Sequence, residues 1–165
     1  MKKMNKKGFT LVELLAVIVI LALIMGIAIV SMSGVLDSAK KSTMKETAAS
    51  IIAGVRNQLV LNNKLAQGKY HFTSAMFEKG GVQSPFGGEY KYYEPTDNTG
   101  KIGTGVFACG DNACGTCSAN TESYVEIDYD AATGYSYKIC LSDGTKFINM
   151  ATEEDLLNSS SDIIQ

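Results

Sequence analysis

A single histidine, His71, and no second Cys-x-x-Cys pair leave this 165-residue chain short of the groups from which most catalytic and metal sites are built. No nucleophile, base and oxyanion donor can be assembled around one imidazole. A lone histidine beside a Tyr and a Phe reads as a packed or surface residue. Ser118 follows Cys117 where haem attachment needs a histidine, so Cys114-Gly-Thr-Cys117 is no haem site. Asp97, Asp111, Asp143, Glu153, Glu154 and Asp155 carry calcium-type oxygens without an ordered ligand spacing, which fits a solvated acidic surface. The expectation is a non-enzyme with no cofactor and no resident metal.

What the chain does have is a long apolar run. From Phe9 to Val30 only Thr10 and Glu13 interrupt Phe, Leu, Val, Ile, Ala, Met and one Gly. At about 1.5 Å per residue this run extends roughly 33 Å as a helix, enough to cross a hydrocarbon core of about 30 Å. Lys2, Lys3, Lys6 and Lys7 precede it with no acidic residue among them, a flank that the positive-inside rule keeps in the cytoplasm. The run is too long for an ordinary secretory signal, and Ser31-Met32-Ser33-Gly34 is a poor cleavage site. A plain signal anchor leaves Glu13 unexplained, because a carboxylate in a membrane helix is costly and marks function or a partner.

Lys6-Lys7-Gly8-Phe9-Thr10-Leu11-Val12-Glu13 resembles the processing and assembly motif of type IV prepilins and of the pseudopilins of type II secretion and competence systems. The resemblance implies cleavage between Gly8 and Phe9 by a prepilin peptidase and N-methylation of the new Phe9 amine. It makes Glu13 the assembly glutamate, paired with the Phe9 amine of a neighbouring subunit. Gly8, with no side chain, leaves the scissile peptide accessible. The expected partners are further copies in a helical filament, other pilins, the peptidase, the platform protein and ATPase of an assembly machine, and the membrane. The expected location is the inner or cytoplasmic membrane, single pass with the head outside, then a cell-surface or periplasmic, wall-spanning filament. Many pilins have a proline near the position of Val30. This chain has none, so local helix melting would rely on Gly26 or Gly34.

Removing the leader takes four of the 15 basic residues and leaves 11 against 17 acidic ones, a net charge near −6. That balance argues against nucleic acid as the main partner, and the small cluster Lys40, Lys41, Lys45 and Arg56 reads as a solvated face or a headgroup contact.

The expected fold is α+β, a long N-terminal helix packed on a C-terminal antiparallel sheet, as in type IV pilins. It divides into a leader over residues 1–8, a helix over 9–66 and a head over 67–165. The helix has a transmembrane half, 9–30, and an amphipathic half, 31–66. In the second half Val35, Ala39, Ala48, Ile51, Ile52, Val55 and Leu59 recur mainly at three- and four-residue intervals. Asn62-Asn63 and Gln67-Gly68 supply stop signals. A short connection with a brief helix around 74–79 follows; residues 84–92, with Pro85, Phe86 and Gly87, then resemble the turn and tyrosine strand, here 89–92, that many pseudopilins and small pilins carry before their sheet. Residues 95–105 read as an exposed loop. Residues 124–130 and 135–141 alternate as a hairpin, 146–150 adds a strand, and the tail from Asn158 to Gln165 reads as loosely held.

Cys109, Cys114, Cys117 and Cys140 all fall in this exported head, where an even count favours two disulfides. Cys140, on a strand, is expected to pair with one member of the 109–117 loop. A four-thiolate zinc site and thiol exchange at Cys114 and Cys117 are the rival readings. At the level of function, the rivals to a filament subunit are a minor or tip subunit whose head binds DNA, a surface or a partner protein, and a membrane-anchored thiol oxidoreductase.

Overall fold

A computed structural model describes residues 9–77, 81–110, 114–158 and 163–165 of the chain; the leader, residues 1–8, lies outside them. The chain forms two compact units, Met1–Ala39 and Lys40–Gln165. Helix α1 (Leu11–Leu61) belongs to both. It starts where Thr10 supplies a cap and ends where Asn63 takes a left-handed backbone, φ 51°. Lys64 N–H then reaches back to the Leu59 carbonyl (2.8 Å) and Asn63 N–H to that of Val60 (3.1 Å), the crossed pair of bonds that closes a helix C-terminus. The first of the two stop signals therefore acts, and the helix is shorter than the 9–66 reading.

Beyond α1 come β1 (Gly68–Phe72), a 3-10 turn (Ser74–Met76), β2 (Lys101–Ile102), β3 (Val106–Ala108), β4 (Tyr124–Asp130), β5 (Gly134–Ser142), β6 (Phe147–Thr152) and the short helix α2 (Glu153–Leu157). The strands form one antiparallel sheet in the order β2-β3-β1-β4-β5-β6. This is the α+β arrangement of type IV pilins.

Within the second unit, Met44, Ala48, Ile51, Ile52, Val55 and Leu59 of α1 are fully buried against the sheet. Strand alternation supplies the opposing face. Tyr70 pairs with Val125, Val125 with Ile139 and Ile139 with Ala151, so one register row crosses four strands and all of it is core. The β4–β5 hairpin turns where Asp130 Oδ1 accepts from Ala132 N–H (2.8 Å) and Thr133 N–H (3.1 Å).

Several further sequence readings are corrected. Residues 68–72, read as connection, are the central strand β1; five residues opening on glycine give too short an alternation to stand out. The tyrosine strand over 89–92 does not form beyond an isolated bridge, Gln83 to Glu89. Its backbone bonds across several elements instead: Lys91 N–H to Ser142 O (2.7 Å), Ser123 N–H to Lys91 O (2.7 Å) and Tyr93 N–H to Phe72 O (3.1 Å). The 95–105 loop contains β2, whose Ile102 packs on the core. The tail is anchored at its end: Ile164 bridges to Ile148 and is buried, and Gln165 exchanges both backbone bonds with Phe147 (2.9 and 3.1 Å). The brief helix is one 3-10 turn, and Lys79 lies outside the described residues.

Candidate assembly site and cysteine face

Every large apolar side chain from Phe9 to Ile29 is exposed, the least of them Leu21 at 48%. Nothing among the described residues of the first unit covers this surface, which suits contact with lipid or other helices. Among the described residues, α1 is the one helix long and apolar enough to cross a membrane. Its first turn is closed by Thr10 and Glu13. Glu13 Oε2 accepts from Thr10 N–H (2.8 Å) and Thr10 Oγ1–H (2.9 Å), while Glu13 N–H lies 3.3 Å from Thr10 Oγ1. This is a reciprocal capping box, which the pattern Thr-x-x-Glu signals and which the reading of Glu13 as an assembly residue alone passed over. Thr10 is thus a further residue of the site, holding the carboxylate next to Phe9. Gly8 lies outside the described residues.

The basic cluster does not form an open patch. Lys40 Nζ stands 5.9 Å from the centre of the Phe86 ring, Lys45 Nζ donates to Asn158 O (3.2 Å), and Arg56 pairs with Glu153 (3.4 Å) above the Tyr137 ring. Several of the acidic residues are also engaged locally. Asp97 accepts from Thr99 N–H, Asp155 closes a capping box with Thr152, and Asp143 Oδ1 accepts from Thr145 and Lys146 N–H (2.8 and 2.7 Å). Burial raises the Asp143 carboxyl, but the Lys146, Ser84 and Thr145 donors together hold it below the usual carboxylate range.

The sheet's other face carries the cysteines. His71 pairs with Phe107 and Tyr124, and Tyr124 with Cys140, a row adjacent to the core row and so pointing the opposite way. Cys114, Tyr124 and Cys140 are buried there, with Cys109, Cys117 and Met150 packed on them. Cys117 bridges to Cys140 and Cys109 to Cys114, with Cα separations of 5.6 and 5.7 Å. Cys114 and Cys117 therefore go to different bridges, which removes the Cys-x-x-Cys pair on which thiol exchange would depend. It equally removes the four-thiolate zinc reading for the oxidised chain. Beside this face, an open cleft of about 560 Å³ is lined by Tyr93, Glu94, Asp97, Asn98, Lys101 and Phe107 among others.

A long apolar N-terminal helix followed by an antiparallel sheet makes an α+β chain whose helix is long and apolar enough to anchor it in a membrane. Residues 3–29 match the family model of the prokaryotic N-terminal methylation motif, the class III signal peptide of type IV pilins. The motif supports a type IV pilin or pseudopilin, a structural subunit processed by prepilin peptidase and assembled with other pilins. No curated protein and no solved structure matches the chain.

Proposed function

We propose that the chain is a structural subunit of a type IV pilus-like filament, cleaved between Gly8 and Phe9, methylated on the Phe9 nitrogen and added to the filament through α1. The observation that carries this reading is the coincidence of the methylation motif with an apolar first half of α1 whose large side chains are all exposed and which holds one carboxylate a turn from Phe9. Cleavage frees a cationic amine at Phe9. In a bundle of identical helices, that amine on one subunit is the natural counter-charge for Glu13 on the next. The capping box engages Oε2 with Thr10, and a carboxylate has further lone pairs for a second donor. A misregistered subunit would leave Glu13 buried and uncompensated, a cost on the order of 3–5 kcal/mol that favours one register. The head lies outside the cytoplasm, and a platform protein and ATPase extract the subunit from the membrane.

Glu13→Ala tests the reading. The variant is expected to be made, inserted and processed but absent from sheared filaments; filaments at the parent's level would overturn the register mechanism. The open cleft beside Tyr93 favours one second reading, a minor or tip subunit whose head captures DNA, a surface or a partner protein. A trace amount relative to another pilin in sheared material would select it.

A further inference from the structure

We infer that, once the Cys109–Cys114 disulfide is reduced, its two thiolates and the His71 imidazole form a binding site for a single zinc ion. Among the described residues, these three form the one group of ligand-type side chains within metal-binding reach; their ligand atoms all lie within 4.8 Å of one another. Zinc bonds of about 2.3 Å to sulfur and about 2.0–2.1 Å to nitrogen set tetrahedral ligands roughly 3.5–4 Å apart, so once the bridge is open the two sulfurs must separate while the imidazole stays within reach.

The imidazole is already prepared. His71 is buried on the central strand β1, stacked on Tyr93 (centroids 4.5 Å apart, 8° between planes) and edge-on to Tyr124. Its Nδ1 lies 3.3 Å from the Ser123 carbonyl. A carbonyl only accepts, so Nδ1 carries the proton and the Nε2 lone pair is left for a cation. A backbone carbonyl on the distal nitrogen is the outer contact that orients ligating histidines. Cys109 is fixed just beyond β3 by its N–H bond to Lys69 O (2.9 Å), and Cys114 is buried on the same face. Two thiolates and an imidazole are soft and borderline donors suited to zinc. They neutralise its charge and leave a fourth position for water.

The redox balance is simple. A dithiol or phosphine reductant supplies two electrons and, with two protons, converts the S–S bond to two thiols. Zinc then displaces both thiol protons while the Nε2 lone pair adds without proton loss. Reoxidation of the dithiol by a disulfide reverses the sequence and expels the ion. The site is therefore empty when the bridge is closed and filled when it opens. This behaviour does not depend on filament assembly.

The test uses the full chain in detergent, held anaerobically after phosphine reduction and titrated with Zn²⁺ against a chromophoric chelator, and in parallel with Co²⁺. The expected result is one ion per chain in the reduced protein and none in the oxidised one, with a thiolate-to-cobalt absorption band. Cys117→Ser with Cys140→Ser should keep the site, and Cys109→Ser with Cys114→Ser should lose it. His71→Ala should weaken binding on the order of 10–100-fold or more. If His71→Ala does not fold, X-ray absorption of the zinc-loaded parent decides, with two sulfur scatterers and a histidine nitrogen expected. No uptake on reduction, uptake that depends on Cys117 and Cys140, or four sulfur scatterers would each overturn the assignment.

Discussion

Glu13 combines a capping role with a proposed assembly role, and one residue substitution can separate them. As the acceptor of the Thr10 donors it closes the first turn of α1, and as a charge it is proposed to meet a neighbour's amine. Glu13→Gln keeps an acceptor oxygen for Thr10 but removes the charge. Filament assembly should therefore fail in this variant, as is expected of Glu13→Ala, counted as pilin recovered after shearing. Recovery at the parent's level would make capping the whole role. In the head, Asp143 organises the β5–β6 turn through four donors, from Ser84, Thr145 and Lys146. Its carboxyl titrates below the usual 3.8 when folded. The stability that the ionised group contributes is thus present in full above the unfolded value and lost as pH falls through the folded one. Asp143→Asn should be less stable than the parent at neutral pH by on the order of 1–2 kcal/mol in chemical denaturation. That gap should shrink as pH falls through the folded value, which lies below the usual one; a gap that stays constant would mean the charge contributes nothing.

At the scale of elements, the second half of α1 is held by burial and ended by Asn63. Ile51→Ala deletes a fully buried side chain between helix and sheet and should lower head stability by roughly 2–5 kcal/mol. At Asn63, a β-branched residue cannot adopt φ 51° without strain, so Asn63→Val should cost on the order of 1–2 kcal/mol while Asn63→Gly is tolerated. Both are read from denaturation midpoints of the head signal. These elements were legible because α1 repeats its pattern over many turns and the hairpin strands over 124–130 and 135–141 alternate for most of their length. The strands that escaped notice were short. β1 and β3 have five and three residues, and β2 only two, so their identity comes from partners distant in sequence rather than from local pattern. Tyr90 to Tyr93 failed in the opposite sense, with strand composition but a backbone bonded to Phe72, Ser123 and Ser142 instead of to one neighbour. The candidate site divides in the same way. Gly8, Phe9 and Glu13 are named by a contiguous motif, whereas the meeting of His71 with Cys109 and Cys114 exists only once β1 and β3 pair.

For the whole molecule, the two bridges and the processed N-terminus make one joint prediction for intact-mass spectrometry. The exported chain should begin at methylated Phe9 and gain four hydrogens on reduction, reflecting both disulfides. A chain retaining Met1 and confined to membranes would leave an anchored surface protein instead. Cys117→Ser with Cys140→Ser should destabilise the head by about 2–4 kcal/mol, because that bridge ties a glycine-rich loop to β5 across 23 residues. The mature subunit's net charge near −6 further implies that heads repel one another at low ionic strength, so cohesion must come from the helices.

The pairing of Ile164 and Gln165 with β6 works as a hem. A bare outer strand offers unpaired N–H and C=O groups to any passing sheet, and here the chain's own residues occupy part of that edge. In the proposed filament, or crowded on a membrane, heads would thereby be kept from stitching to one another. Trimming residues 163–165 should unpick the hem, leaving a head that clumps through its sheet, read as a rise in light scattering over the untrimmed chain.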